Sequence, residues 1–265
     1  MSLDDLIGAV VVGTFFFIMV LERIIPARQY PTRALWRVRG VAFLLVMAAV
    51  ATAAPTLLPS EWVASHRLLD LSWLDPVAGT VVGYLVVSFV SYAWHRATHK
   101  FDILWRGFHQ LHHSAPRLDI AGGPLFHPLD ITMYVLLSTV TTSLVLGLSP
   151  EAAGLTGLVA QLYSFFQHAN VKTPRWLGYL IQRPESHFVH HSRDVHAFNY
   201  SDLPIWDMVF GTFRNPAEFG SGEVGFEAPS DGRYLAMLAF QDVSSGVGTR
   251  PIATPEPTTA RFQAA

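Results

Sequence analysis

Nine of the twelve histidines lie in four short segments. "HRATHK" carries His95 and His99, four residues apart, and "FHQLHHS" carries His109, His112 and His113. "SFFQHAN" carries His168, and "RPESHFVHH" repeats the triplet as His187, His190 and His191. Residues at i, i+3 and i+4 share one face of a helix, so each triplet aims three imidazoles to one side. Neutral imidazole is the commonest metal-binding side chain and suits iron and zinc alike. One metal uses three or four of these nitrogens; nine suit two metals with four or five each. A haem would take one or two axial histidines and leave the pairs unexplained, and the zinc-protease signature HExxH is absent.

Two further histidines are candidates to complete the ligand set or to support it: His127 in "LFHPLD" and His196 in "RDVHAFNY". Metal-bound histidines donate their second ring N–H to a carboxylate or carbonyl. Asp119, Asp194, Asp207 and Asn199 are candidates for that role, Asn199 foremost because it follows the second triplet closely. In the second triplet's segment, Pro184 fits the first turn of a helix and Glu185 its positive end.

The elements that hold these residues are apolar. Hydrophobic residues make up 51% of the 265 and charged residues 14%, against about 25% charged in a typical soluble domain. A spanning helix needs about 20 apolar residues, and five uncharged runs approach that length: 6–21, 40–60, 76–94, 131–150 and 152–171. The last two form a hairpin through "GLSPEAAG". Lys and Arg mark cytoplasmic loops. Arg23, Arg28, Arg33, Arg37 and Arg39 follow the first run, and a second basic group follows the third and a third the fifth. The expectation is five crossings, N-terminus outside and histidines inside; four spans, with the first run lying in the interface, is the alternative. His66 then falls on the outer side, apart from the other eleven. The first run follows Asp4 and Asp5 without a basic n-region, so it reads as a retained span rather than a signal peptide. Residues 1–75 are expected to hold N-terminal spans, 76–216 the catalytic unit and 217–265 a C-terminal extension. The tail from about 241 is rich in Ser, Thr, Pro and Ala, too poor in large apolar groups to fold.

Absence of cysteine excludes disulfides, cysteine-ligated iron–sulfur clusters and cysteine-ligated zinc in this chain. A net charge of −2 gives no sign of a nucleic-acid partner. The C-terminus "ARFQAA" lacks an endoplasmic-reticulum retrieval signal, which favours a bacterial inner membrane.

The ordered set HxxxH, HxxHH, a single His after a span, then HxxHH resembles the fatty acid hydroxylase/sterol desaturase superfamily of integral-membrane di-iron enzymes. "LWRGFHQLHHSAPRLD" is similar to that family's second box, and "NYSDLPIWDMVFGTF" to the segment that closes its catalytic domain. The likeness covers about residues 76–216. It departs at Lys172, where some relatives have a second histidine, at Ser201, where many have Gly, and at Leu125, where an Arg often stands. It implies a helical membrane protein of four or five spans with a cytosolic histidine cap. It also implies two iron ions and O2 as co-substrate; zinc, which outcompetes Fe(II) for nitrogen sites, is possible in recombinant material. The implied reaction is hydroxylation of an unactivated C–H bond of a fatty-acyl, sterol or polar lipid, with desaturation at the same site as the alternative. With no fused redox domain, electrons are expected from a separate ferredoxin or cytochrome b5 type donor with its reductase. A non-catalytic metal-binding membrane protein and a zinc-dependent hydrolase are the competing classes. The aromatics Phe165, Phe166, Phe188 and Phe198 are candidates to wall a lipid channel.

Overall fold

The computed structural model describes residues 1–193, 195 and 197–244. Its long elements are α1 (Leu3–Ile24), α2 (Trp36–Ala53), α3 (Pro76–Lys100), α5 (Pro128–Thr139) and α6 (Pro150–Gln167). Short ones form the cap: α4 (Gln110–His113), α7 (Pro184–His191), α8 (Pro204–Val209) and α9 (Tyr234–Leu238). Among the described residues no strand is named, only an isolated bridge between Ser192 and Val224.

Local sequence explains where helices begin. Five of them start on proline, at Pro76, Pro128, Pro150, Pro184 and Pro204. The missing N–H costs nothing there and the fixed φ suits the first turn. Asp75 caps α3 through Val77 N and Ala78 N, and Ser149 caps α6 through Ala152 N. Ser2 and Asp5 close a reciprocal capping box on α1.

Glycines set the bundle's close contacts. A Cβ at Gly79 would lie 2.8 Å from Ala152 Cβ, and one at Gly83 would lie 2.6 Å from Thr156 Oγ1. Both pairs share one sequence offset, so α3 and α6 run parallel. Gly154 meets Ile7, and the Phe15 and Phe165 rings stand 5.7 Å apart, so α1 also runs parallel to α6. Helix α2 leaves the cap, where Trp36 Nε1 donates to Asp119 at 2.8 Å. Helix α5 leaves it at His127, and its continuation ends where Leu68 N and Leu69 N donate to Leu144 O and Val145 O. The five rods therefore alternate in direction, and the N-terminus lies at the end opposite the cap.

Four segments are long and apolar enough to cross a membrane: Leu3–Ile24, Trp36–Leu57, Pro76–Lys100 and Pro128–Val145. The fifth expected span does form a helix, α6, but it carries Glu151, Gln161 and Gln167 and is not among them. It stops at Gln167 rather than running to residue 171. Its 18 residues reach about 27 Å.

The C-terminal extension is part of the cap. Phe226, Met237 and Val243 join a core with Trp36, Trp105, Leu111 and Leu125. The start of the expected disordered tail is held too: Gln110 Nε2 donates to Gln241 O at 2.8 Å. Residues 245–265 lie outside the described residues.

Candidate metal centre

The nine box histidines converge in two groups. His95, His99, His109, His113 and His190 form one; His112, His168, His187 and His191 form the other. Within each group one ring nitrogen per residue lies within 4.8 Å of every other. Each triplet is thus divided, instead of serving one metal from one face. His109 and His113 enter the five-histidine group while His112 enters the four; His187 and His191 enter the four while His190 enters the five. Helix geometry gives the reason. At 3.6 residues per turn, neighbours fan apart by about 100°, whereas i and i+4 differ by about 40°. The i,i+4 pairs 95/99, 109/113 and 187/191 stay together, and the i+3 residue reaches across. A π-helical turn over Trp105–His109 immediately precedes α4 and adjusts the register of this box. The two groups share a wall, where the His113 and His191 rings stack at 4.2 Å.

Buried acceptors fix the rings. His95 Nδ1 donates to Tyr200 O at 2.7 Å, His190 Nδ1 to Phe198 O at 2.9 Å and His168 Nδ1 to Ser164 O at 2.6 Å. A carbonyl only accepts, so each of these Nδ1 atoms carries the proton and each Nε2 turns an unprotonated lone pair inward. His109 Nδ1 bonds Asp130 Oδ2 at 2.8 Å, and Trp94 Nε1 donates to the other oxygen at 3.3 Å. Asp130 has no exposed surface. Burial, followed by the neighbouring imidazoles, holds His112, His113, His187 and His191 well below the ordinary histidine range. They stand neutral, the form that binds a metal.

The donor set fits metal ions. His112 and His168, His168 and His187, and His187 and His191 each approach Nε2 to Nε2 at 3.1 Å, as do His113 and His190. Two imidazole nitrogens on one metal at about 2.1 Å stand roughly 3.0 to 3.4 Å apart. The buried Nε2 atoms of His95 and His109 have no hydrogen-bond partner, a costly state for a polar atom away from water unless an ion takes its lone pair.

Other sequence candidates sit elsewhere. His127 caps α5, accepting from Leu129 N at 3.1 Å, and belongs to neither group. His66 stacks on Trp62 at the far end. Asp194 and His196 lie outside the described residues. Asp119 holds Trp36, Arg117 and Gly122 N and touches no box histidine. Asn199 and Asp207 act at one remove. Asn199 Nδ2 donates to Ser186 O and Arg214 O, and its Oδ1 accepts from Arg214 N. Asp207 accepts from Tyr200 N and Ser201 N at 2.9 Å each. Together they shape the loop whose carbonyls orient His190 and His95. Phe198 and Asn199 take positive φ there, 72° and 53°, a conformation asparagine tolerates well.

Three of the four expected channel aromatics are occupied in packing. Phe165 meets Phe15, Phe188 lies under Arg28 and against Phe219, and Phe198 lies under Arg214. The rings against the site include Phe126, stacked on His112 at 3.9 Å, Trp105, 5.3 Å from both His99 and His113, and Tyr200, 5.4 Å from His99 and 5.5 Å from His190. Asp130 was the residue missed, although it stands three positions after His127 in "HPLD". Arg183, read from the sequence only as one of the basic residues after the fifth run, has a structural role the sequence did not signal. It is fully buried, donates to Thr173 O and Pro216 O, and anchors α7 beside Glu185, which accepts from Thr173.

Residues 80–212, half of the chain, match the fatty acid hydroxylase family model. The chain belongs to the fatty acid hydroxylase family. Among relatives in this family, an ornithine lipid hydroxylase of Rhizobium tropici is 32% identical over 205 residues, covering 76% of this chain and 59% of its own. Human alkylglycerol monooxygenase is 32% identical over 155 residues, 57% of this chain and 34% of its own. The zebrafish (Danio rerio) alkylglycerol monooxygenase is 31% identical over 153 residues. The chain therefore spans three fifths of the first relative and a third of the others. No solved structure gives a significant match.

Proposed function

We propose that this fatty acid hydroxylase family member is a membrane-lipid hydroxylase that uses two iron ions and O2. The observation that carries the reading is the pair of four- and five-histidine groups with lone pairs converging at coordination distances. His95, His99, His109, His113 and His190 would hold one ion, and His112, His168, His187 and His191 the other. Iron held there would supply reductive activation of O2, so that C–H, O2, two electrons and two protons give C–OH and water. The protein's own part is to fix the rings through Asp130, Tyr200 O, Phe198 O and Ser164 O. Phe126 and Trp105 shield the site from water.

The positions of the groups suit a lipid. The histidines sit where α3 and α6 end and α5 begins, so a chain lying among the rods can reach them from the membrane side. The arginine-rich loop after α1 lies at this same end, which supports a cytoplasmic cap by the positive-inside rule, and we assign the protein to a bacterial inner membrane. A separate ferredoxin or cytochrome b5 type donor would deliver electrons from the soluble side. The relatives' names, ornithine lipid hydroxylase and alkylglycerol monooxygenase, support a polar lipid as substrate.

Lipid extracts from cells with and without the gene, compared by mass spectrometry with a competent donor present, test this. A lipid gaining one oxygen is expected, and it should vanish with His112→Ala or His190→Ala while the protein stays in the membrane. A two-hydrogen loss would replace hydroxylation by desaturation, and unchanged lipids would refute both.

A further inference from the structure

Asp202 lies in the loop between α7 and α8 and turns into the bundle. Its Oδ1 accepts from Gln167 Nε2 at 2.9 Å, at the very end of α6. Among the described residues no lysine or arginine pairs with it. Three tyrosines from three different rods stand within the reach of its charge: Tyr84 on α3, Tyr134 on α5 and Tyr163 on α6. The Tyr84 and Tyr163 rings stack at 5.2 Å and 8°. The Tyr84 hydroxyl is buried and faces the Asp202 carboxylate without closing a well-formed hydrogen bond.

A carboxylate without a cation among apolar rods is expensive to keep, and such groups mark sites of function. Burial pushes Asp202 up to about 6, which still leaves it mainly ionised in neutral solution. A hydrocarbon gains nothing from this charge, and a phosphate or carboxylate would be repelled by it. An ammonium gains twice, from the carboxylate and from aromatic faces around it.

We propose that Asp202, with Tyr84, Tyr134, Tyr163 and Gln167, binds the ammonium group of an amine-bearing lipid on the membrane side of the histidine groups. The site selects among lipids by headgroup charge. Its catalytic meaning rests on the lipid hydroxylase reading; the binding itself needs neither metal nor O2.

The test uses the full chain in dodecyl maltoside at pH 7.5, with thermal unfolding followed during titration with decylamine, decanol or decanoate. Micelle partitioning acts on all variants alike, so differences between variants report the site. Decylamine is expected to stabilise the wild type more than decanol, with no stabilisation from decanoate. Asp202→Asn keeps the shape and should weaken decylamine binding at least tenfold, while Asp202→Glu should retain most of it. Tyr163→Leu leaves the carboxylate in place and should weaken the amine severalfold without changing the decanol response, a check that stands even if Asp202→Asn fails to fold. Equal effects of decylamine and decanol on the wild type, or unchanged decylamine binding in Asp202→Asn or Tyr163→Leu, overturn the proposal. Selective amine binding without any oxygenated lipid in cells would defeat the proposed reaction and leave this site standing; an oxygenated lipid without amine selectivity would do the reverse.

Discussion

Asp130→Asn separates the two histidine groups in a single experiment. The carboxylate satisfies two buried donors, His109 Nδ1 at 2.8 Å and Trp94 Nε1 at 3.3 Å, with no exposed surface of its own. An amide keeps one acceptor oxygen and turns its NH2 toward the other donor, so one buried N–H loses its partner. That costs about 1–3 kcal/mol of stability. Removing the partner that orients a ligating histidine typically lowers metal affinity about 10–100-fold, roughly 1.4–2.7 kcal/mol. His109 belongs to the five-histidine group alone. Metal-free protein in detergent, titrated with Fe(II) under anaerobic conditions against a competing chelator, should bind in two steps. In Asp130→Asn one step should weaken by that factor and the other should not move. Asp130→Leu, which orphans both donors, should weaken the same step further. Equal weakening of both steps, or of neither, would refute the assignment of Asp130 to one metal.

Further outcomes follow from other parts of the structure. His127→Ala should cost about 1 kcal/mol, the usual value of a lost helix cap, with both metals retained; losing one metal would show His127 to be a ligand after all. Gly83→Ala should destabilise by about 1–3 kcal/mol through overpacking, because its Cβ would meet Thr156 Oγ1 at 2.6 Å and Leu148 Cδ1 at 2.8 Å; an unchanged unfolding temperature contradicts the close packing of α3 and α6. The metal-free protein should lose stability as pH falls from 7 toward 5. His112, His113, His187 and His191 have lowered folded pKa values, so below about pH 6.5 the unfolded chain binds more protons than the folded one. Asp202, raised to about 6, and Asp207, also raised, pull the other way as pH falls toward their unfolded values, but they are fewer than the buried histidines. A flat or rising unfolding temperature on acidification would contradict the burial of these rings.

The histidine spacing and the basic loops were legible because both follow local rules: helix periodicity and the charge bias of cytoplasmic loops. The direction of all five rods followed from the same alternation, even though α6 turned out less apolar than its neighbours. What stayed hidden was long-range. The sequence offers each triplet as one face; the angular fan within each triplet and the tertiary approach of α3, α4, α6 and α7 together divide it between two groups. Asp130 and the Phe198 and Tyr200 carbonyls lie 21, 8 and 105 residues from the histidines they orient, and no periodicity links such pairs. Backbone carbonyls carry no side-chain signature at all. The asparagine at a positive φ in "AFNY" was the one local hint of that turn. Phe165, Phe188 and Phe198 misled because an aromatic near a histidine in sequence can still face the opposite way.

The central claim is that these histidines hold two metals. Elemental analysis of the full-length protein, purified anaerobically after iron supplementation, tests it most directly. Two metal ions per chain are expected in the wild type, with one lost in His187→Ala and the other in His109→Ala. A wild type that binds one ion or none, or that keeps both ions in each variant, would contradict the account.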